Sequence, residues 1–412
     1  MDNLVHVEMV RKRATCTPTS LGDSQQDDTP AIKAAIQACG NGGTIIPPGK
    51  TYSLRSMLDL SGCVNCDIQL EGTLKSSTDY TFWSKQRAII LAKNISGLTF
   101  RSLTGTGVID GNGQSSYEAY AVSPFARPTV FYIQGGRDIT VSGFKIRNPP
   151  NVFFNQRDGV TNIKYSNLNL SAVSKSSVQP KNTDGFDIGE SMYTTISDIT
   201  IENQDDCIAI KSGANYVEIN TITCAGEPYQ NAEFRIKPKS IYQFTMLPGT
   251  NHGLIIGSLG KTNADFAKNI FIEDITMINC GKAAGIKVYE GGSGRGTSTV
   301  TNVTWDGVTV DGCDYGASLA GTSKLHPAPR RFCATVLTIR IQVSHASLVP
   351  LAKQGMSLKT LFLGLGGWKD WKEVAGWRKC YMYVTNPHYL VAEHWPETDQ
   401  LQIRAGAGVA RF

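Results

Sequence analysis

Nowhere in the 412 residues do eighteen apolar residues run together, so no membrane-crossing helix is expected. An apolar leader is also missing from the start, where Met1 to Arg13 is short and charged. Paired C-x-x-C motifs are lacking. Cys63-Val64-Asn65-Cys66 stands alone, which argues against a zinc knuckle. The body of the chain has no surplus of positive charge either. The net charge of +5 comes from a tail, since residues 318–412 hold 12 Lys+Arg against 5 Asp+Glu. The other 317 residues then carry 28 basic and 30 acidic side chains. A nucleic-acid binder needs a basic stripe on its folded body, so neither nucleic acid nor membrane is an expected partner.

What is present points outward from the cell. Ten cysteines suit disulfides in an oxidising compartment. Three sequons begin at Asn94, Asn169 and Asn302. Lys12-Arg13, directly before Ala14-Thr15-Cys16, has the form of a dibasic processing site. A secreted protein is expected, with residues 1–13 a leader remnant or propeptide scar and the signal segment upstream of Met1.

One pattern recurs along the body: apolar-x-apolar-x-x-apolar-x-apolar. It is carried by Ile139-Val141-Phe144-Ile146, Ile163-Tyr165-Leu168-Leu170, Ile270-Ile272-Ile275-Met277 and Val303-Trp305-Val308-Val310. Period-two alternation marks strands, and the break in the middle marks a bend. The copies begin at 98, 139, 163, 194, 217, 270 and 303, an irregular spacing of the kind a solenoid has. Helical patterning between the copies is scarce, which disfavours a βαβ sheet. The expected fold is all-β, a parallel β-helix; an antiparallel sandwich is the alternative. One amphipathic helix is expected near the start. Asp28-Thr29-Pro30 caps a run through Ile32, Ala35 and Ile36 to Cys39-Gly40, placed to cover the open end of the solenoid.

Two segments depart from the pattern. Ala225 to Thr250 holds no copy, and removing its 26 residues brings the 53-residue interval down to an ordinary coil. From Ser318 the pattern is hard to find, and four of the six Trp appear there. The expected division is a catalytic solenoid over 14–317, an off-pattern insert over 225–250 and an off-pattern tail over 318–412. The last two have the look of an imperfect gene model.

Acidic residues cluster in Asn182-Thr183-Asp184-Gly185-Phe186-Asp187 and in Gln204-Asp205-Asp206-Cys207, followed by Asn251-His252-Gly253. Asp184 and Asp205 are 21 residues apart, about one coil, and the same step leads to His252 once the insert is subtracted. Successive rungs of one face would then hold Asp184, Asp205/Asp206 and His252. Neighbouring carboxylates repel, so one of them should keep its proton. A protonated acid beside an ionised one is what glycoside hydrolysis needs. Lys287, in Gly285-Ile286-Lys287, would offer a positive charge to an acidic sugar. Such pairs also occur as solvated turn caps, and clustered carboxylates bind calcium in lyase-like β-helices. The shared one-coil register favours catalysis, and an imidazole suits calcium poorly.

At these residues the chain resembles the family 28 glycoside hydrolases, the polygalacturonase family, whose signatures are N-T-D, D-D, H-G and R-x-K. The resemblance implies a right-handed parallel β-helix and an inverting mechanism without metal or cofactor. Asp205 would donate the proton, Asp184 and Asp206 would activate water, and His252 would support the acid. Asn182 and Lys287 would bind substrate. It further implies disulfides between Cys207 and Cys224 and between Cys16 and Cys39. A monomer acting on pectic polysaccharide is expected. Gly285 stands where typical polygalacturonases have Arg. Asn148-Pro149-Pro150-Asn151-Val152-Phe153 and Lys282-Ala283-Ala284-Gly285-Ile286-Lys287 look like the xylogalacturonan hydrolase branch. Loss of the Arg would leave room for a xylose branch. Exo-polygalacturonase, rhamnogalacturonan hydrolase and a catalytically dead carbohydrate-binding β-helix are the alternatives.

Overall fold

The computed structural model describes residues 14–40, 42–45, 49–226, 252–262, 264–289 and 298–313. It describes the backbone alone of 315–321, 332–346, 356–358, 361–364, 382–383, 389–395 and 400–406. The expected processing scar at 1–13 and residues 227–250 of the expected insert lie outside these.

Strands follow one another as parallel ladders, and the chain is a right-handed parallel β-helix. The longer ladder runs through Val160–Ser171, Ser191–Asn203, Ala214–Gly226, Asp265–Ile278 and Ser298–Cys313. The shorter runs through Phe154–Arg157, Phe186–Ile188, Asp206–Ile210, His252–Leu259 and Lys282–Val288. Among the described residues the only antiparallel pair is Tyr389–Trp395 with Gln400–Gly406, so the sandwich reading falls.

The recurring pattern has a backbone cause. Between its two halves sits a residue at positive φ: Gly143, Asn167, Asp198, Thr221, Asp274 or Gly307. A second such residue directly precedes the first apolar position: Asp138, Asn162, Tyr193, Tyr216, Asn269 or Asn302. Left-handed backbone bends the strand without ending it, and Gly, Asn and Asp tolerate it best. Asn side chains also bridge coils at these corners. Asn302 Nδ2 donates to Asn269 Oδ1 at 2.8 Å, and Asn269 Nδ2 donates to Asn215 Oδ1 at 2.9 Å. The apolar positions between corners point inward and are buried, Ile219, Ile272, Val303 and Trp305 among them. All three sequon asparagines are exposed.

The helix Thr29–Cys39 buries Ile32, Ala35, Ile36 and Cys39. Its capping differs from the expectation. Asp28 makes no side-chain cap; its carboxylate accepts from Leu21 N and Ser53 N, both at 2.7 Å. Asp27 Oδ1 takes the Thr29 N–H at 3.1 Å instead. Asp28 thus ties the helix to the first coil. Two further helices, Tyr80–Trp83 and Gln114–Val122, were not expected. The second buries only Ser116 and Tyr117, which leaves no apolar stripe to read in the sequence.

Disulfides join Cys16 to Cys39 and Cys207 to Cys224. Cys63 is joined to Cys66 and Cys280 to Cys313. The strand Ala214–Gly226 runs two residues into the expected insert, with Ala225 paired to Ile278. Parallel pairing also continues past Ser318. Tyr315–Gly321 lies on Lys282–Val288, and Phe332–Ala346 lies on Ser298–Cys313. Backbone pairing needs no apolar alternation, so the sequence pattern could fade there while the ladder went on.

Candidate active site

The short ladder positions the site. In its register Phe186 pairs with Ile208 and Asp206 with His252. Stepping back two residues from the first pair brings Asp184 level with Asp206. The one-coil step from Asp184 therefore ends on Asp206, where the sequence spacing had pointed to Asp205. Asp205 sits in the bend before the strand Asp206–Ile210. His252 in turn pairs with Lys282, which the sequence reading passed over. Asp206, His252 and Lys282 thus occupy three consecutive rungs. Inside the wall, Phe154 and Phe186 stack at 5.0 Å and hold the rungs in line.

The four acids and bases singled out from the sequence meet here. His252 Nδ1 lies 3.0 Å from Asp206 Oδ1. Asp205 Oδ1 accepts from Asp206 N at 2.9 Å. Asp205 Oδ2 accepts from Asn182 N at 3.1 Å and from Asn182 Nδ2 at 3.4 Å. Asn182 is thereby drawn into holding an acid, with one amide hydrogen left for a substrate. The donor atoms of Asp205, Asp206 and His252 lie within 4.8 Å of one another, close enough for a divalent cation. The imidazole nitrogen already faces Asp206, so the cluster needs no ion to account for its geometry.

Two charged residues that were not foreseen complete the site. Asp187 is buried, and Lys211 Nζ reaches Asp187 Oδ1 at 3.0 Å and Asp184 Oδ2 at 3.6 Å. The signal was available: Asp187 lies in the acidic motif, and Lys211 follows it by one coil plus two residues. A lysine on a strand edge is usually solvated, however, and its reach across the rung cannot be read from spacing.

Burial pushes the Asp184 carboxyl well above the usual carboxylate range, with Asp187 and Asp205 adding to the push and Lys211 opposing it. Burial also raises Asp205, followed by the Asp206 charge, while the Asp206 N–H, His252 and Lys287 pull the other way. Burial works against the Lys211 ammonium, but Asp187, Asp184 and Asp206 outweigh it and hold it firmly charged. Lys282 moves the opposite way, lowered by burial and then by Lys287. Lys287 therefore lies near enough to act on both Asp205 and Lys282. The result is a wall on which two carboxyls have raised proton affinity and lysines stand at both ends, Lys211 beside Asp184 and Lys282 with Lys287 beyond His252. A cleft of about 500 Å³ opens beside it, lined by Tyr120, Phe125, Arg127, Asn182, Asp184 and Lys211 among others.

Comparison with known proteins follows the same lines. A family model described as "Glycosyl hydrolases family 28" matches residues 42–227 and 236–321. The endo-xylogalacturonan hydrolase A of Aspergillus tubingensis is 50% identical over 308 residues, 74% of this chain and 70% of that protein. The crystal structure of endo-xylogalacturonan hydrolase from Aspergillus tubingensis superposes with a TM-score of 0.70 at 41% identity, covering 84% of this chain and 91% of that one. A hyperthermoactive exopolygalacturonase from Thermotoga maritima shares the fold at a TM-score of 0.54 and 14% identity, over 85% of this chain and 92% of the other.

Proposed function

The chain belongs to the glycosyl hydrolases of family 28, and from that membership and its acidic cluster we propose that it cleaves galacturonic-acid linkages in pectin, with xylose-substituted galacturonan as its substrate. It works as an endo-acting, inverting hydrolase. One observation carries the chemistry: Asp184, Asp205 and Asp206 converge on one wall, two of them with proton affinity raised by burial and then by neighbouring carboxylates.

Asp205 donates its proton to the glycosidic oxygen as the bond breaks. Its upward shift, caused first by burial and then by the Asp206 charge, favours the protonated form that the step needs. Asp206, with His252 at one oxygen, and Asp184, with Lys211 at the other end of the wall, hold and deprotonate the attacking water. The water approaches the face of the sugar opposite the leaving group, so the anomeric centre inverts. His252 keeps Asp206 oriented through the 3.0 Å contact of its Nδ1 with Asp206 Oδ1. Lys287 takes a galacturonate carboxylate, and the remaining Asn182 hydrogen takes a sugar hydroxyl. Lys282, one rung beyond His252, adds a second cation to the wall. Four disulfides among the described residues, three exposed sequons and an enzyme for a plant-wall polymer fit a secreted monomer.

The substrate assignment is tested by reducing-end release from xylogalacturonan and from polygalacturonic acid at equal galacturonate content. Faster release from the branched polymer is expected, because Gly285 leaves the space an Arg would fill. Faster release from the unbranched polymer would return the chain to the ordinary polygalacturonases. Binding without release of reducing ends from either would assign it to a non-catalytic carbohydrate-binding role.

A further inference from the structure

Arg127 is a buried cation with no carboxylate partner among the described residues. Burying a guanidinium is costly unless its donors are satisfied. Nη1 donates to Pro150 O at 2.9 Å and to Lys181 O at 2.7 Å, and Nη2 donates to Asn182 Oδ1 at 2.8 Å. Its flat face lies over the Tyr120 ring, 3.7 Å from the centroid. Tyr120 comes from the unexpected helix Gln114–Val122. Two of these contacts go to a single dipeptide, Lys181-Asn182, and the other two, to Pro150 and Tyr120, fix the guanidinium in place.

We propose that Arg127 is a positioning residue that sets the orientation of the proton donor Asp205 through the Lys181-Asn182 peptide. The proposal rests on the reading of Asp205 as that donor. Two geometric constraints carry it. A trans peptide points its C=O and its N–H in opposite directions. With Lys181 O drawn to Arg127, the N–H of Asn182 must point away from Arg127, and it meets Asp205 Oδ2. Arginine, moreover, only donates. Asn182 must therefore turn its amide oxygen to Arg127, which turns its NH2 group to the same Asp205 oxygen. The positive φ of Asn182, +56°, lets backbone and side chain converge on one atom. With two donors on Oδ2 and one on Oδ1, Oδ1 is the oxygen freer to carry the transferable proton.

The charges facing Asp205 are Asp206, Asp184, His252 and Lys287, together with Arg127 itself. Removing Arg127 withdraws a positive charge and loosens two donors to the ionised acid. Both changes raise the proton affinity of Asp205. The acid must be protonated to work, so the alkaline limb of the kcat/KM profile moves to higher pH.

The test is Arg127→Met and Arg127→Lys in the full chain, assayed on xylogalacturonan across pH, with circular dichroism and thermal melting as the folding check. Arg127→Met is expected to lower kcat by between about 10- and 100-fold, the effect of a small misplacement of a reacting group. KM changes less than kcat, and the alkaline limb moves up. Arg127→Lys keeps the charge but not the fork, so the limb returns towards its original place while kcat stays low. Should Arg127→Met not fold, Tyr120→Leu, which removes only the stacking, is expected to shift the limb in the same direction by less. An unmoved alkaline limb in Arg127→Met, or in Tyr120→Leu if only that variant folds, would overturn the proposal. Full activity of a folded Asp205→Asn would instead remove the reading on which it rests.

Discussion

Asp205→Asn is expected to lower kcat by about 10²- to 10⁴-fold, the usual contribution of a general acid. Asn matches Asp in shape, and with its one oxygen turned to the place of Oδ2 it still accepts from Asn182 N and Nδ2, at the expense of the Asp206 N–H. It has no proton to give at any accessible pH. Substrate binding should hardly change, because Lys287 and Asn182 remain, so the loss appears in kcat with KM near its original value. Stability should change little, since Asn is as neutral as the protonated acid and keeps part of its hydrogen bonding. Thermal melts beside steady-state kinetics check both halves. Turnover within a few-fold of the parent enzyme would take the proton-donor role away from Asp205.

Lys211→Met is expected to act through a different group and on the opposite limb. Asp184 must be ionised to help deprotonate water, and Lys211 is the neighbour that opposes its upward shift. Without the ammonium the Asp184 carboxyl rises further, and the acidic limb of kcat/KM moves to higher pH. On that limb, activity at a given pH then falls below the parent's. Stability responds with a definite sign. A carboxyl raised in the folded state stabilises at low pH, and that stability is lost as pH climbs through its folded value. The Lys211 ammonium is held charged far above neutrality, so it titrates nowhere in this range. The variant's deficit should therefore be small in acid and grow towards neutral pH. There it reaches about 3 kcal/mol, the lower end for breaking a buried ion pair, because the lysine is a quarter exposed. Urea titrations at acidic and neutral pH measure the difference. A deficit equal at both would mean that Lys211 does not answer the Asp184 charge.

Much of this was legible because a solenoid writes its coil length into the chain. The apolar pattern gave the strands, and the break in it marked the left-handed corners at Asn167, Asp274 and Gly307. The acidic motifs lay one coil apart, which was enough to bring Asp184, Asp205, Asp206 and His252 to one wall. The register itself was off by one residue, since a coil is not a fixed number of residues and Asp205 fell in a bend. Lys211, Asp187 and Lys282 escaped because a charged residue on a strand edge looks the same whether it is solvated or paired. Arg127 and Tyr120 escaped for another reason. They come from a short helix without an apolar stripe and the loop after it, and reach the site from 55 residues away in sequence.

The anomeric configuration of the first-formed product, followed by proton NMR before mutarotation, tests the whole account most directly. Water delivered by Asp184 and Asp206 against a bond protonated by Asp205 yields the anomer opposite to that of the linkage cleaved. A product that keeps the original configuration would require a covalent sugar–enzyme intermediate, and the wall described here would then be doing other chemistry.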